Sequence, residues 1–145
     1  MFSISFYIFS SLLSYTDFTR FIVPNNILIA MSLMLIVFGI FESKIYISSI
    51  VLSFIVLLFF ISLLLLKPNM ILGGGDIKYM IVVAFYLGVQ SFALFLVITG
   101  ILQTFALLYV QNIKKRRIAP MVPMMFLSVI IVESLTTLNL YPFRF

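Results

Sequence analysis

The chain has 145 residues, of which 64% are hydrophobic and 9% charged, with a mean hydropathy of +1.31; a soluble domain carries about 25% charged residues, so this is an integral membrane protein. With no cysteine and no histidine, a thiolate or imidazole metal site, a cysteine nucleophile and a Ser-His-Asp triad are all excluded, and chemistry falls to carboxylates, lysines or hydroxyls. The net charge of +5 sits beside apolar spans, which reads as membrane topology and contact with the lipid bilayer, with no nucleic-acid partner.

Residues Met1 to Tyr15 are apolar with interspersed serines. They lack a basic leader region and run into Asp17 with no Ala-x-Ala-like site, which reads as an uncleaved first span. Asp17 to Asn26 (DFTRFIVPNN) is a polar break ending in a Pro-Asn pair suited to a turn or helix start. The second span runs from about Ile27 to Phe41, and Glu42, Ser43 and Lys44 form a short turn. The third covers Ile45 to Leu66, closed by Lys67, Pro68 and Asn69.

Next comes LGGGDIK, Leu72 to Lys78, where glycines, a carboxylate and a lysine lie together between two apolar runs. Gly73, Gly74 and Gly75 admit unusual backbone conformations and close approach by another segment. Asp76 follows at an expected helix start, where unpaired N–H groups and the positive end of the helix dipole favour a carboxylate. Ile77 to Val110 is too long for one crossing of about 20 residues. A split near Gly88 to Ser91 gives a fourth span to Val89 and a fifth from Ser91 to Val110. Lys114 to Arg117 (KKRR) and the proline pair of IAPMVP, Ile118 to Pro123, precede a sixth span from about Met124 to Leu140. No second domain, linker, low-complexity segment or internal repeat stands out. The expected fold is all-α, a single polytopic membrane domain over residues 1–145.

Basic residues fix the expected orientation. Loops after the first, third and fifth spans hold Arg20, Lys67, Lys78, Lys114, Lys115, Arg116 and Arg117, whereas the other side holds Lys44 and Arg144. The positive-inside rule then puts Asp17 and Asp76 on the cytoplasmic face and both termini outside. Two aspartates on one side of a small bundle, each at the end of a short apolar span, is the arrangement an aspartic protease needs. Carboxylates about 3 Å apart cannot both ionise, so one serves as base and the other as acid.

The pattern Gly73-Gly74-Gly75-Asp76-Ile77-Lys78 resembles the Gly-x-Gly-Asp signature of the type IV prepilin peptidases. So does Asp17 standing before Pro24-Asn25, and, more weakly, the Pro-x-x-Pro of Pro120 to Pro123. The resemblance implies six membrane helices and an aspartic endopeptidase. Its catalytic pair would be Asp17 and Asp76, supported by Gly73, Gly75, Lys78, Pro24 and Asn25. It would remove the basic leader of single-span prepilin-like precursors at the cytoplasmic membrane face, without metal or cofactor. The chain lacks the extra segment of the methylating members, so the resemblance is to short, stand-alone peptidases of tight-adherence pili or archaeal preflagellins. Val23 and Met121-Val122 depart from the commoner residues at their positions.

Other features have plainer readings. Arg20 and KKRR serve as orientation signals, Lys78 either does the same or steadies the charge on Asp76, and Gly39, Gly88 and Gly100 are helix-packing or turn sites. The seventeen phenylalanines read as lipid-facing bulk. Glu133, inside the sixth span, must face the bundle interior, and counting from the prolines puts it far from the aspartates. Two rivals differ in geometry or outcome. A small transporter predicts three carboxylates along one cavity, and a non-catalytic scaffold or homologue predicts that neither aspartate matters for cleavage. A presenilin-like protease shares the glycine element but expects more spans and a Tyr-Asp pair that Tyr15-Thr16-Asp17 does not match.

Overall fold

The computed structural model describes residues 1–66, 73–114 and 119–138. Lys67 to Leu72, Lys115 to Ile118 and the tail from residue 139 lie outside the described residues, and with them most of the basic residues used for orientation. Among the described residues the chain is all helix: α1 (Phe2–Arg20), α2 (Asn25–Phe41), α3 (Ile47–Leu66), α4 (Gly74–Lys114) and α5 (Val122–Thr137).

Most boundaries fall within three residues of the sequence expectation. The exception is the end of α1. Asp17 to Arg20, expected in a polar break, form its last turn, and α1 stops when Phe21 takes a left-handed conformation (φ 52°, ψ 32°) whose N–H bonds back to the carbonyl of Asp17. Asp17 therefore projects from a rigid helix.

The second difference is α4. The expected fourth and fifth spans form one element of 41 residues, interrupted at Gly88, whose φ of 72° and ψ of 179° are not helical. A straight helix of that length would run about 60 Å, twice the hydrocarbon thickness. The interruption falls where excess length and a glycine marked it. Gly88 is required there because an L side chain at that φ is strained. Beyond it, Phe92, Phe95 and Thr99 are buried, so the second segment packs into the interior again.

Burial follows the logic of a membrane bundle. α3 and α4 are each long and apolar enough to cross a bilayer, yet only 17% and 22% of their most apolar windows are buried. The core helix of a soluble protein would hide most of that surface. Lipid tails are as apolar as leucine, so helices here associate through small residues, close packing and hydrogen bonds. Ser5, Ser10, Ser49, Ala84 and Ser128 are accordingly buried between helices. Ser53 Oγ of α3 donates to the Ile81 carbonyl of α4 at 3.4 Å. Gly39 lets Ile45 pack on α2, since a Cβ there would lie 2.6 Å from Ile45 Cγ1. Gly100, by contrast, faces open space and is neither a packing nor a turn site.

The phenylalanines are not uniformly lipid-facing. Phe2, Phe6, Phe60, Phe92 and Phe95 belong to the core. Phe6 stacks on Tyr86 with ring centroids 3.8 Å apart and planes 7° from parallel.

Candidate active site

Asp17 and Asp76 are brought to one end of the bundle by different devices. Asp17, in the last turn of α1, is 5% exposed. Its Oδ2 accepts the N–H of Val122 at 3.0 Å, and the N–H of Met121 also reaches its carboxylate. These amides open α5, where no side chain of that helix caps them. A helix start leaves its first N–H groups unpaired and carries partial positive charge, so a carboxylate from a neighbouring helix satisfies both needs. The proline stretch acquires its role here: Pro123, in the first turn of α5, spends no needed donor, while Met121 and Val122 supply theirs to Asp17. Sequence reading missed these two amides.

Asp76 sits in the first turn of α4. Its N–H bonds to the Gly73 carbonyl at 3.0 Å, and the Gly73 N–H returns to its carboxylate. That exchange closes the helix start. Asp17 lies near enough for its charge to bear on the Asp76 carboxyl. Among the described residues the ion pairs involve Glu42, and neither aspartate has a cation partner. Asp76 Oδ1 is buried and has no hydrogen-bond partner.

The glycine pattern has an atomic explanation. A Cβ on Gly75 would lie 2.6 Å from Val23 Cβ, in the segment joining α1 to α2, and one on Gly73 would lie 2.9 Å from Asp76 Oδ2. A Cβ on Gly74 meets nothing within 4 Å. Gly75 is thus forced by its close approach to Val23, Gly73 is crowded only by the end of the Asp76 side chain, and Gly74 is free. Gly74 and Gly75 are helical and neither has a left-handed φ, so proximity explains the motif better than unusual backbone shape.

Pro24 takes extended backbone (φ −68°, ψ 125°) as the residue capping α2. Next to it, Asn25 Oδ1 accepts a hydrogen bond from Lys78 Nζ at 2.8 Å, tying the α2 start to the α4 start. Lys78 is turned to Asn25, which corrects the expectation that it steadies the charge on Asp76. A cavity of about 320 Å³ opens beside this pair, lined by Asn25, Leu28, Ile29, Ser32, Lys78 and Val82.

Glu133 stands apart. Tyr7 of α1 and Tyr86 of α4 both donate their hydroxyls to it. Tyr7 is ten positions before Asp17 and Tyr86 ten after Asp76, which is about 15 Å along either helix. It borders a separate cavity of about 670 Å³ at the Gly88 interruption, whose lining includes neither aspartate. Glu133 thus lies apart from the end of the bundle that holds Asp17 and Asp76.

Apolar helices that leave most of their surface exposed, with a buried Asp17 and a half-buried Asp76 at one end, fit a membrane protein. The chain belongs to the type IV leader peptidase family, whose sequence profile matches residues 4–108. The matched span holds both aspartates and stops before Val122 and Glu133. No curated protein and no solved structure matches the chain.

Proposed function

We propose that this protein is a multi-pass aspartic endopeptidase that removes the basic leader of prepilin-like, single-span precursors at the cytoplasmic face of the cell membrane. The observation that carries the reading is the placement of Asp17 and Asp76 at one end of the bundle in a leader peptidase family member, with neither paired to a cation among the described residues. Two such carboxyls hold one proton between them. The ionised member takes a proton from water as its oxygen attacks the scissile carbonyl carbon. The protonated member donates to the carbonyl oxygen, and a neutral gem-diol results. Its collapse breaks the C–N bond as the amine nitrogen takes up a proton from the carboxyl that gained one, while the other carboxylate takes a proton back from a diol hydroxyl and the pair is left with one proton. The products are the freed leader and a new N-terminus.

Each neighbour has a task in this scheme. The Met121 and Val122 amides hold Asp17 in one orientation, Gly73 and Gly75 allow Asp76 to approach, and Lys78 with Asn25 fixes the α2 and α4 starts. The orientation rests on charge: Arg20 and Lys78 lie at the aspartate end, Lys44 at the other. A substrate whose basic leader remains in the cytoplasm presents its cut site at that level.

Co-expression with a prepilin-like precursor tests this on a gel. Wild-type protein is expected to convert precursor to mature form, and Asp17→Asn and Asp76→Asn to leave it uncut. Unchanged conversion by either variant would remove the assignment.

A further inference from the structure

Glu133 lies in a membrane-spanning helix and accepts a tyrosine hydroxyl at each oxygen, Oε2 from Tyr7 and Oε1 from Tyr86, as an ionised carboxylate does. Among the described residues both ion pairs involve Glu42, so no cation there answers Glu133. Ionised groups within membrane spans are almost always paired. A cationic partner for Glu133 is therefore to be sought in what the cavity beside it can hold.

That cavity, at the Gly88 interruption, has room for a molecule. Its volume of about 670 Å³ falls within the range of about 300–1,000 Å³ that holds small ligands. Both signs of charge line it, Glu133 from α5 and Lys44 from the turn before α3. Lys44 Nζ gives one N–H to Glu42 Oε2 at 3.0 Å and keeps two. Ser48 and Ser49 line it as well, in the first turn of α3, whose opening N–H groups have no partner within the helix. Ser49 is only 6% exposed, stands with its Oγ 3.3 Å from where a Cβ of Gly88 would lie, and makes no side-chain hydrogen bond among the described residues. At the rim, Tyr46 and Val89 are 67% and 52% exposed.

A bare cation would leave most of this space empty, and a simple anion would meet the Glu133 carboxylate. A zwitterion answers both walls. We propose that the cavity binds a membrane phospholipid with a primary-ammonium headgroup, its ammonium at Glu133 and its phosphate toward Lys44, the Ser48 and Ser49 hydroxyls and the α3 start. Phosphatidylethanolamine has this chemistry. Place favours a lipid over a soluble zwitterion: the cavity sits among helix ends, where headgroups lie, and its exposed Tyr46 and Val89 rim offers acyl chains an apolar wall. The site goes beyond leader peptidase activity and does not depend on it.

Native mass spectrometry of the full-length protein, titrated in detergent with lipids of matched acyl chains, tests this. Wild-type protein is expected to retain one phosphatidylethanolamine about tenfold more tightly than phosphatidylcholine, whose methylated nitrogen has no N–H to donate, or phosphatidylglycerol, which has no cation. Glu133→Gln is expected to bring phosphatidylethanolamine down to the level of phosphatidylcholine, and Lys44→Gln to weaken all three lipids alike. Equal retention of phosphatidylethanolamine and phosphatidylcholine by the wild type, or an undiminished preference in Glu133→Gln that melts like the wild type, overturns the site.

Ser48→Trp keeps the test open if Glu133→Gln folds poorly, because it fills the cavity from an exposed position without touching Glu133. It is expected to lower phosphatidylethanolamine retention about tenfold, and unchanged retention in that variant overturns the site too. Glycerophosphoethanolamine, the headgroup without acyl chains, is expected to compete weakly. Competition as strong as that of the intact lipid would give the cavity to a soluble zwitterion and overturn the lipid assignment.

Discussion

Asp17 Oδ2 accepts the N–H of Val122, 105 positions further along the chain, at 3.0 Å. One carboxylate thereby serves as cap for α5 and as half of the proposed acid pair, so substitutions at Asp17 separate by what they leave behind. Asn retains an oxygen that can accept the Val122 amide but cannot exchange a proton as a carboxyl does. Asp17→Asn is expected to insert and fold like the wild type while precursor cleavage falls by a factor of about 10² to 10⁴. Ala leaves the buried amides without a partner, at about 1–3 kcal/mol. Asp17→Ala is therefore expected to lower the thermal unfolding midpoint as well, and equal midpoints for the two variants would refute the capping role.

The three glycines give a sharper test because their environments differ. Gly75→Ala would drive a Cβ to 2.6 Å from Val23 Cβ, at the root of a β-branched side chain that cannot swing away. Overpacking of this kind costs about 1–3 kcal/mol. Gly73→Ala instead crowds Asp76 Oδ2, so cleavage should fall with little change in the unfolding midpoint. Gly74→Ala meets nothing and is expected to keep full activity, with a small gain in stability from a better helix former. Thermal unfolding and cleavage assays on the three variants check the order, and a Gly74→Ala defect as large as that of Gly75→Ala would refute it.

These contacts also mark how far the sequence could be read. Apolar run length located the helices, and a surplus of residues with a glycine at position 88 located the interruption in α4. The placement of Asp17 and Asp76 at one end was legible because alternating spans put the loop after the first and the loop after the third on one side, and the chain has only four acidic residues. The end of α1 was not legible: DFTR is polar enough for a loop, and the residue that stops the helix is Phe21, without the usual glycine. Nor were the Met121 and Val122 donors, because a backbone amide has no side-chain signature. The buried phenylalanines were misread for a related reason. When a helix such as α3 is apolar all round, composition does not distinguish the face toward lipid from the face toward its neighbours.

At the end opposite the aspartates, Glu42 ties the start of α1 to the turn after α2. The Met1 ammonium, the Phe2 N–H at 2.9 Å and Lys44 Nζ at 3.0 Å surround its carboxylate and hold its pKa down at about 2, against an ordinary 4.5. A lowered pKa in the folded state means that the stabilisation is complete above the unfolded value and is lost as pH falls through the folded one. The unfolding midpoint of the wild type should therefore exceed that of Glu42→Gln above about pH 5, and the gap should close between about pH 4.5 and 2. Thermal melts of both proteins across that range measure it, and a gap that does not change with pH would exclude the ionic tie.

Glu133 supplies the prediction that separates architecture from chemistry. It joins three helices, with Tyr7 of α1 and Tyr86 of α4 donating to a carboxylate on α5, about 15 Å from the acid pair by helix rise. Interhelical hydrogen bonds in membranes contribute about 0.6 kcal/mol on average and up to about 1.7. Glu133→Leu, losing two of them, should cost about 1–3 kcal/mol and lower the unfolding midpoint. Gln keeps an acceptor for one tyrosine and can donate to the hydroxyl oxygen of the other. Glu133→Gln should accordingly hold the fold and cleave precursor at nearly the wild-type rate, since Glu133 does not touch the aspartates. Loss of cleavage in Glu133→Gln at an unchanged melting midpoint would mean that a proton moves between the two ends of the bundle, and the separation of roles between Glu133 and the Asp17–Asp76 pair would have to be abandoned.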